Sequence, residues 1–124
     1  MTAKKKILII DDEPGFTSMV KLNLETTGRY EVMIENDSQQ AVATAAAYQP
    51  DLILLDIIMP VEGPDVLCQL RKSEALQDVP VVFLTATVRR EEVAHENGHI
   101  GGHPFLAKPG TVDELITCID EELG

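Results

Sequence analysis

The sequence predicts an α/β fold, a doubly wound (βα)5 three-layer sandwich with a five-stranded parallel sheet between two helix layers. Three observations predict it. Short continuous apolar runs recur along the chain, at Ile7–Ile10, Leu52–Leu55, Val81–Leu84 and Phe105–Ala107. Strands that are apolar on both sides belong to parallel sheets covered on both faces. Segments of helical pattern separate these runs, and strand–helix–strand units with parallel strands cross over right-handed, which winds the sheet in two directions. The chain of 124 residues, 44% of them hydrophobic, suits one domain over residues 1–124 with a packed core.

The elements follow in order. Ile7-Leu8-Ile9-Ile10 is the first strand and ends in acid at Asp11. Pro14 to Thr26 carries Phe16, Met19, Val20 and Leu24 at helical spacing, and Gly28 is its stop. Tyr30–Glu35 alternates at its ends, as a half-exposed edge strand does. Asp37 to Gln49 opens on Asp37 as N-cap with Gln40 three residues on, a capping-box pattern, and Pro50 closes it. Leu52–Leu55 ends in acid at Asp56. Asp65 to Ser73 places Val66, Leu67 and Leu70 on one helix face, and Val81–Leu84 ends in Thr85. Val88 to Asn97 is a polar helical segment stopped by Gly98, and Phe105–Ala107 ends in Lys108. Thr111 to Glu122 begins with the S/T-x-x-E box Thr111-Val112-Asp113-Glu114, after which Val112, Leu115, Ile116 and Ile119 form an apolar stripe.

Charge and composition exclude several functions. Ten Lys and Arg against 21 Asp and Glu give a net charge of −11. That is the wrong sign for gripping a phosphate backbone, so no direct nucleic-acid partner is expected. No run of about 18 apolar residues exists, so no membrane partner is expected either. The polar, basic start from Met1 to Lys6 leads into an apolar run that ends at Asp11, too short for a secretory signal. Lys4-Lys5-Lys6 is expected as a solvated lead-in. Two cysteines are too few for a disulfide framework, which points to a reducing, cytoplasmic location. Cys68 and Cys118 are expected as small apolar core or boundary residues. His95, His99 and His103 repeat every four residues, but Gly98, Gly101, Gly102 and Pro104 break any helix there, and no metal site is expected from them.

Chemistry is expected at the carboxyl ends of the strands, where doubly wound sheets bind their ligands. The residues just past the apolar runs are Asp11 and Asp12, Asp56, Thr85 and Lys108. At about 4 Å and an effective dielectric near 20, each pair of carboxylates repels by roughly 4 kcal/mol. Such a cluster needs a cation, and hard oxygen ligands select Mg²⁺ or a similar ion. The hydroxyl of Thr85 and the ammonium of Lys108 are suited to hold phosphoryl oxygens. A central carboxylate can act as a nucleophile and form an aspartyl-phosphate. The constellation reads as metal-assisted phosphoryl transfer onto Asp56.

Four segments, Ile9-Ile10-Asp11-Asp12-Glu13-Pro14, Leu54-Leu55-Asp56-Ile57-Ile58-Met59-Pro60, Leu84-Thr85-Ala86 and Phe105-Leu106-Ala107-Lys108-Pro109, together resemble the receiver domains of two-component response regulators, in order and at about the family's spacing. The resemblance implies a flavodoxin-like sheet of order 2-1-3-4-5. It implies Asp56 as phospho-acceptor and Asp12 and Asp56 as direct Mg²⁺ ligands. The backbone carbonyl of Ile58 would be a third ligand, with Asp11 acting mainly through water. Thr85 becomes the phosphate-sensing hydroxyl, Lys108 the phosphate-binding lysine and Phe105 the aromatic switch, and Pro109 sits where the family carries a cis Lys-Pro bond. The implied donor is a phosphohistidine on a sensor histidine kinase or histidine phosphotransfer domain. The implied response is a change in the surface made by the fourth helix, last strand and fifth helix, read by a downstream protein or an output domain. In this reading the chain is a signalling switch rather than a turnover enzyme, monomeric or dimerising on phosphorylation. No output domain follows the fifth helix before Gly124, so the expectation is a stand-alone receiver or the excised receiver of a longer protein.

The sequence also departs from the family pattern. Gly63 stands three residues beyond Pro60, where the family spaces it four, so the loop after Asp56 is one residue short. Gly110 replaces a common apolar residue, and the stretch Gly98 to Pro104 is Gly-rich and about one residue longer than the family's usual spacing before Lys108. Ile58 and Thr87 occupy positions that in the family modulate phosphoryl lifetime, so the resemblance implies that a bulky Ile58 hinders an attacking water. Other readings compete. A haloacid-dehalogenase-like phosphatase needs an Asp-x-Asp nucleophile motif after the first strand, and Asp11-Asp12-Glu13 lacks that spacing. A flavodoxin-like cofactor binder needs a Ser/Thr/Gly-rich loop there. A phosphorylation-independent receiver-like interaction scaffold is kept open by the shortened loop.

Overall fold

Five parallel strands with their helices form the frame, and the computed structural model describes residues 4–56, 68–74, 76–85, 99–100, 103–107 and 112–123. The strands are β1 (Lys5–Ile10), β2 (Tyr30–Glu35), β3 (Leu52–Asp56), β4 (Val81–Thr85), β5 (His99–Ile100) and β6 (His103–Ala107). The helices are α1 (Pro14–Thr26), α2 (Ala41–Tyr48) and α3 (Val112–Leu123), with a helical turn over residues 68–71 and a 3-10 turn at Ser38–Gln40. The sheet order is β2-β1-β3-β4-β6-β5. Strands β2, β1, β3, β4 and β6 are parallel, in the expected order 2-1-3-4-5. The expected helix over Val88 to Asn97, and the Val66 and Leu67 part of the one before it, lie outside the described residues.

The last parallel strand corrects the sequence reading. It begins at His103, not Phe105, and a two-residue strand at His99–Ile100 pairs with it antiparallel, His99 opposite Pro104 and Ile100 opposite His103. The Gly-rich stretch before Phe105 therefore contributes two short antiparallel strand segments. Gly101-Gly102, the dipeptide between the two strands, is a pair that favours two-residue hairpin turns.

The alternation of strand side chains divides the core into two layers. Leu8, Ile10, Ile53, Leu55, Val81 and Phe83 face one side with Ala41 and Ala45 of α2, Leu70 and Leu76. Ile7, Ile9, Leu52, Leu54, Val82 and Leu84 face the other, against Val20 and Leu24 of α1 and Leu115 and Ile119 of α3. Every residue of β3 is buried, because this strand lies between two neighbours and under helices on both faces. Strand β2 has one strand neighbour, and its first four residues alternate buried and exposed, as an edge position requires. Among the described residues no helix is long and apolar enough to cross a membrane.

Local signals held with adjustments. Pro14 starts α1, and Gly28 follows it at φ 77°, a left-handed conformation open to glycine. Asp37 does cap, but it caps the 3-10 turn: its Oδ1 accepts from the Gln39 N–H at 2.9 Å. The Asp37 N–H is taken by Glu35 Oε2 at 3.0 Å rather than by Gln40, so the reciprocal half of the capping box comes from β2. Lys6 is not a solvated lead-in. It sits in β1, with its Nζ donating to Tyr48 O at 3.2 Å and lying 5.1 Å from the centre of the Tyr48 ring. Cys118 is half-buried against the core, whereas Cys68 is exposed, contrary to its expected core or boundary place.

Candidate functional site

Register brings the acidic residues together. Ile10 pairs with Leu55, so the next residue of each chain segment, Asp11 and Asp56, stand side by side as β1 and β3 end. The Asp11 N–H continues the ladder on its other side, donating to Glu35 O at 3.1 Å. Asp11 is fully buried and Asp56 is 4% exposed. Asp12 and Glu13 follow in the exposed loop before α1. Asp11, Asp12, Glu13 and Asp56 each offer one carboxylate oxygen within 4.8 Å of the others. Four like charges this close make a strongly negative pocket with a hard oxygen donor set, which suits a small divalent cation.

A hydrogen-bond web holds the loop in this strained electrostatic arrangement. Asp11 Oδ1 accepts from the Glu13 N–H at 3.0 Å, an Asx-type turn that reverses the chain. Asn36, the residue after β2, donates from Nδ2 to Asp11 O at 2.8 Å and to Thr17 Oγ1 at 3.1 Å. Thr17 is fully buried, and its hydroxyl lies 3.1 Å from Pro14 O and 3.3 Å from Glu13 O in the first turn of α1.

The other expected site residues are placed only in part. Thr85 ends β4 one residue beyond Leu84, which pairs with Asp56. Thr85 itself pairs with Ala107 of β6, and Lys108 is the next residue in the chain. The strand register therefore leads the backbone of Thr85 to the same sheet edge as Asp56. The side chains of Thr85 and Phe105 are not among those described, and Ile58, Lys108 and Pro109 lie outside the described residues, as do the short loop after Asp56 and Gly110.

Sequence reasoning missed three contributors. Glu13 joins the carboxylate cluster, and the run of three acids was its signal. Asn36 occupies the strand-end position of β2, where the rule that marks Asp11 and Asp56 applies equally, although β2 is an alternating edge strand and not a fully apolar run. Thr17 carried no sequence signal, because a threonine inside an amphipathic helix is ordinarily solvated or packed.

Comparison with known proteins agrees with this geometry. The sequence model of the response regulator receiver domain matches residues 7–120. The chain is 38% identical over 115 residues to the DNA-binding dual master transcriptional regulator RpaA of Synechocystis, covering 92% of this chain and 47% of that protein. It is 36% identical over 113 residues to the alkaline phosphatase synthesis transcriptional regulatory protein PhoP of Bacillus subtilis, covering 90% of this chain and 45% of that one. The chain thus spans about half the length of the curated relatives it matches. Among solved structures, chemotaxis protein CheY4 of Vibrio cholerae superposes with a TM-score of 0.82 at 27% identity, covering 97% of this chain and 99% of that one. The receiver domain of sensor histidine kinase PA1611 from Pseudomonas aeruginosa, which has a magnesium ion coordinated in its active site cleft, superposes with a TM-score of 0.82 at 28% identity, covering 98% and 99%. With its sheet order, its strand-end acids and a family match over nearly its whole length, the chain belongs to the response regulator receiver domains, the signalling switches of two-component systems.

Proposed function

We propose that this chain accepts a phosphoryl group on Asp56 from a phosphohistidine of a sensor histidine kinase or histidine phosphotransfer domain. The observation that carries the proposal is the nearly buried Asp56 carboxylate standing level with Asp11 inside a cluster of four carboxylates. One Asp56 oxygen bonds to phosphorus, the P–N bond of the donor breaks, and the leaving imidazole keeps its electron pair and takes a proton from water. The product stays on the chain, so the domain works as a switch rather than as a turnover enzyme.

The donor set fits Mg²⁺. Two oxygens bound to one such ion are at most about 4.2 Å apart, because each bond is about 2.1 Å. A cluster spread over up to 4.8 Å therefore suits two or three direct ligands, with the remainder acting through water. Asp12 and Asp56 are the direct carboxylate ligands in this reading, the Ile58 carbonyl is the third, and Asp11 acts mainly through water. The ion supplies charge neutralisation for the cluster and the incoming phosphoryl oxygens. The course of β4 and β6 supports Thr85 and Lys108 as the hydroxyl and ammonium that meet those oxygens, with Phe105 as the switch residue on β6.

Residues 1–124 act as one cytoplasmic domain in this reading. Its output passes through the surface around β6 and α3 to a partner protein or to an output domain, with dimerisation on phosphorylation as one route. The test is intact mass after incubation with Mg²⁺ and acetyl phosphate, beside Asp56→Asn. The expected result is a gain of one phosphoryl group that is lost without Mg²⁺ and lost in the variant. No gain from acetyl phosphate or from any phosphohistidine donor overturns the proposal and leaves a phosphorylation-independent interaction scaffold.

A further inference from the structure

We infer that Asn36 is a positioning residue for the acidic pocket: it holds the Asp11–Glu13 loop in metal-binding geometry from the end of the neighbouring strand. The inference rests on the Mg²⁺-dependent reading of that pocket and assigns a function to a residue outside it.

Asn36 is the first residue past β2, and its side-chain amide reaches from there to both the loop after β1 and the first turn of α1. One hydrogen of Nδ2 goes to the carbonyl of Asp11, 25 residues earlier, and the other to the hydroxyl of Thr17 in the first turn of α1. Those contacts bracket the acidic loop, Asp11 being its start and Thr17 lying just past its end. Both anchors are fully buried. The remaining parts of the loop are tied inward by Asp11 Oδ1 on the Glu13 N–H and by the Thr17 hydroxyl beside Glu13 O and Pro14 O.

Electrostatics explains why such a clamp is needed. Asp11, Asp12, Glu13 and Asp56 repel one another, so the loop is driven to open whenever no cation is bound. A neutral amide opposes that opening without adding charge. It donates both of its hydrogens to groups other than carboxylates, so it takes up no carboxylate oxygen of the cluster. Groups that orient metal ligands from outside typically change metal affinity 10–100-fold when removed. Asn36 acts through a backbone carbonyl, which puts its effect at the lower end.

The experiment is Mg²⁺ titration by calorimetry on the full chain, comparing wild type with Asn36→Ala, Thr17→Val and Tyr30→Phe. Tyr30→Phe is the control, because its hydroxyl bonds Asp120 far from the pocket. Asn36→Ala is expected to weaken Mg²⁺ binding about 10-fold. Thr17→Val, which cuts one arm of the clamp and keeps Asn36, is expected to weaken it less. The double variant should fall short of the product of the two effects, since both act through one network. In metal-free buffer the Glu13 amide should exchange hydrogen faster in Asn36→Ala than in wild type or Tyr30→Phe. A purely structural role predicts instead that Tyr30→Phe and Asn36→Ala change Mg²⁺ affinity alike. Binding by wild type that Asn36→Ala leaves within about twofold overturns the inference alone. Wild type that binds no Mg²⁺ overturns the reading of the pocket with it. Should Asn36→Ala not fold, Thr17→Val with affinity equal to wild type is the overturning result.

Discussion

Acidic residues gather in two regions of this domain, and the two regions use them in opposite ways. Along β2 and the elements around it, Glu25, Glu31, Glu35 and Asp120 each meet a donor. Glu25 Oε2 takes the Lys21 ammonium at 3.2 Å and the Val32 N–H at 3.1 Å, while Lys21 Nζ donates to Val32 O at 2.8 Å. Glu31 accepts from the Tyr48 hydroxyl at 3.1 Å, and Glu35 from the Thr44 hydroxyl. Asp120 on α3 receives the Arg29 guanidinium and the Tyr30 hydroxyl, which fastens α3 to the start of β2. Both backbone groups of Val32, which would otherwise invite another strand to add to the edge, are occupied from α1. At the strand ends, Asp11, Asp12, Glu13 and Asp56 are instead crowded together within 4.8 Å. Spread out, the acids hold elements in place. Massed, they create a potential that a cation and a phosphoryl group can use, at a cost to the resting fold.

The comparison is sharpened by substitutions of opposite expected sign. A stabilising effect is expected from Asp56→Asn in metal-free buffer. Removing one of four crowded charges should raise the thermal midpoint by about 3–6 °C, a gain of about 1 kcal/mol, and should shrink the stabilisation that added Mg²⁺ provides. A midpoint that falls instead would break the distinction between the regions.

At the edge, neutralisation should destabilise. Tyr30→Phe removes a hydroxyl bonded to a charged group from a site where Tyr30 is only 2% exposed, and is expected to cost about 1.5 kcal/mol by thermal or urea denaturation. The same bond gives a pH signature. Burial first, and then the Asp120 carboxylate, push the Tyr30 hydroxyl up from 10.0 to about 12. A group whose folded pKa is raised stabilises fully below its unfolded value. The contribution should therefore be present below pH 10 and disappear as pH rises from 10 to 12. Tyr48 is also pushed up, by burial and then by the Glu31 carboxylate. With two tyrosines and no tryptophan in the chain, tyrosinate absorbance should be nearly absent from native protein at pH 10 and half-developed in urea. Absorbance that develops equally in both would remove this support for the Tyr30–Asp120 link.

The smallest effect is expected from Glu25→Gln. Glu25 sits below its ordinary 4.5, first because it accepts the Val32 N–H and then because of Lys21. A lowered carboxylate pKa stabilises the fold above the unfolded value, so its contribution should be lost as pH falls below 4.5. The pair is partly exposed, with side chains 42% and 35% accessible, and water screens it. Glu25→Gln should cost a few tenths of a kcal/mol at pH 7 and should flatten the stability curve of the variant below pH 4.5. A larger loss, with self-association through β2, would show that the pair guards the edge more than it holds α1.

Much of the fold was legible in the chain because the signals were local. A continuous apolar run such as Leu52–Leu55 fits a strand covered on both faces, and β3 is buried throughout. Pro14 and Gly28 frame α1 through backbone conformation alone. The acids Asp11 and Asp56 were legible because strand ends in such a sheet lie on one edge, and the register of β1 with β3 puts them level. The short strand at His99–Ile100 was not read, because two residues are too few for any periodicity to register.

By itself, then, the sequence determined the order and kind of the elements and the edge on which the chemistry gathers. These depend on propensity, patterning and position along each strand. Only the tertiary structure decided that Asn36 clamps Asp11 and Thr17, that Lys21 and Glu25 close the edge at Val32, and that Asp120 holds Tyr30 from 90 residues away. Each of these pairs polar side chains with groups on other elements, so its partner is set by how the elements pack, and no local pattern records it.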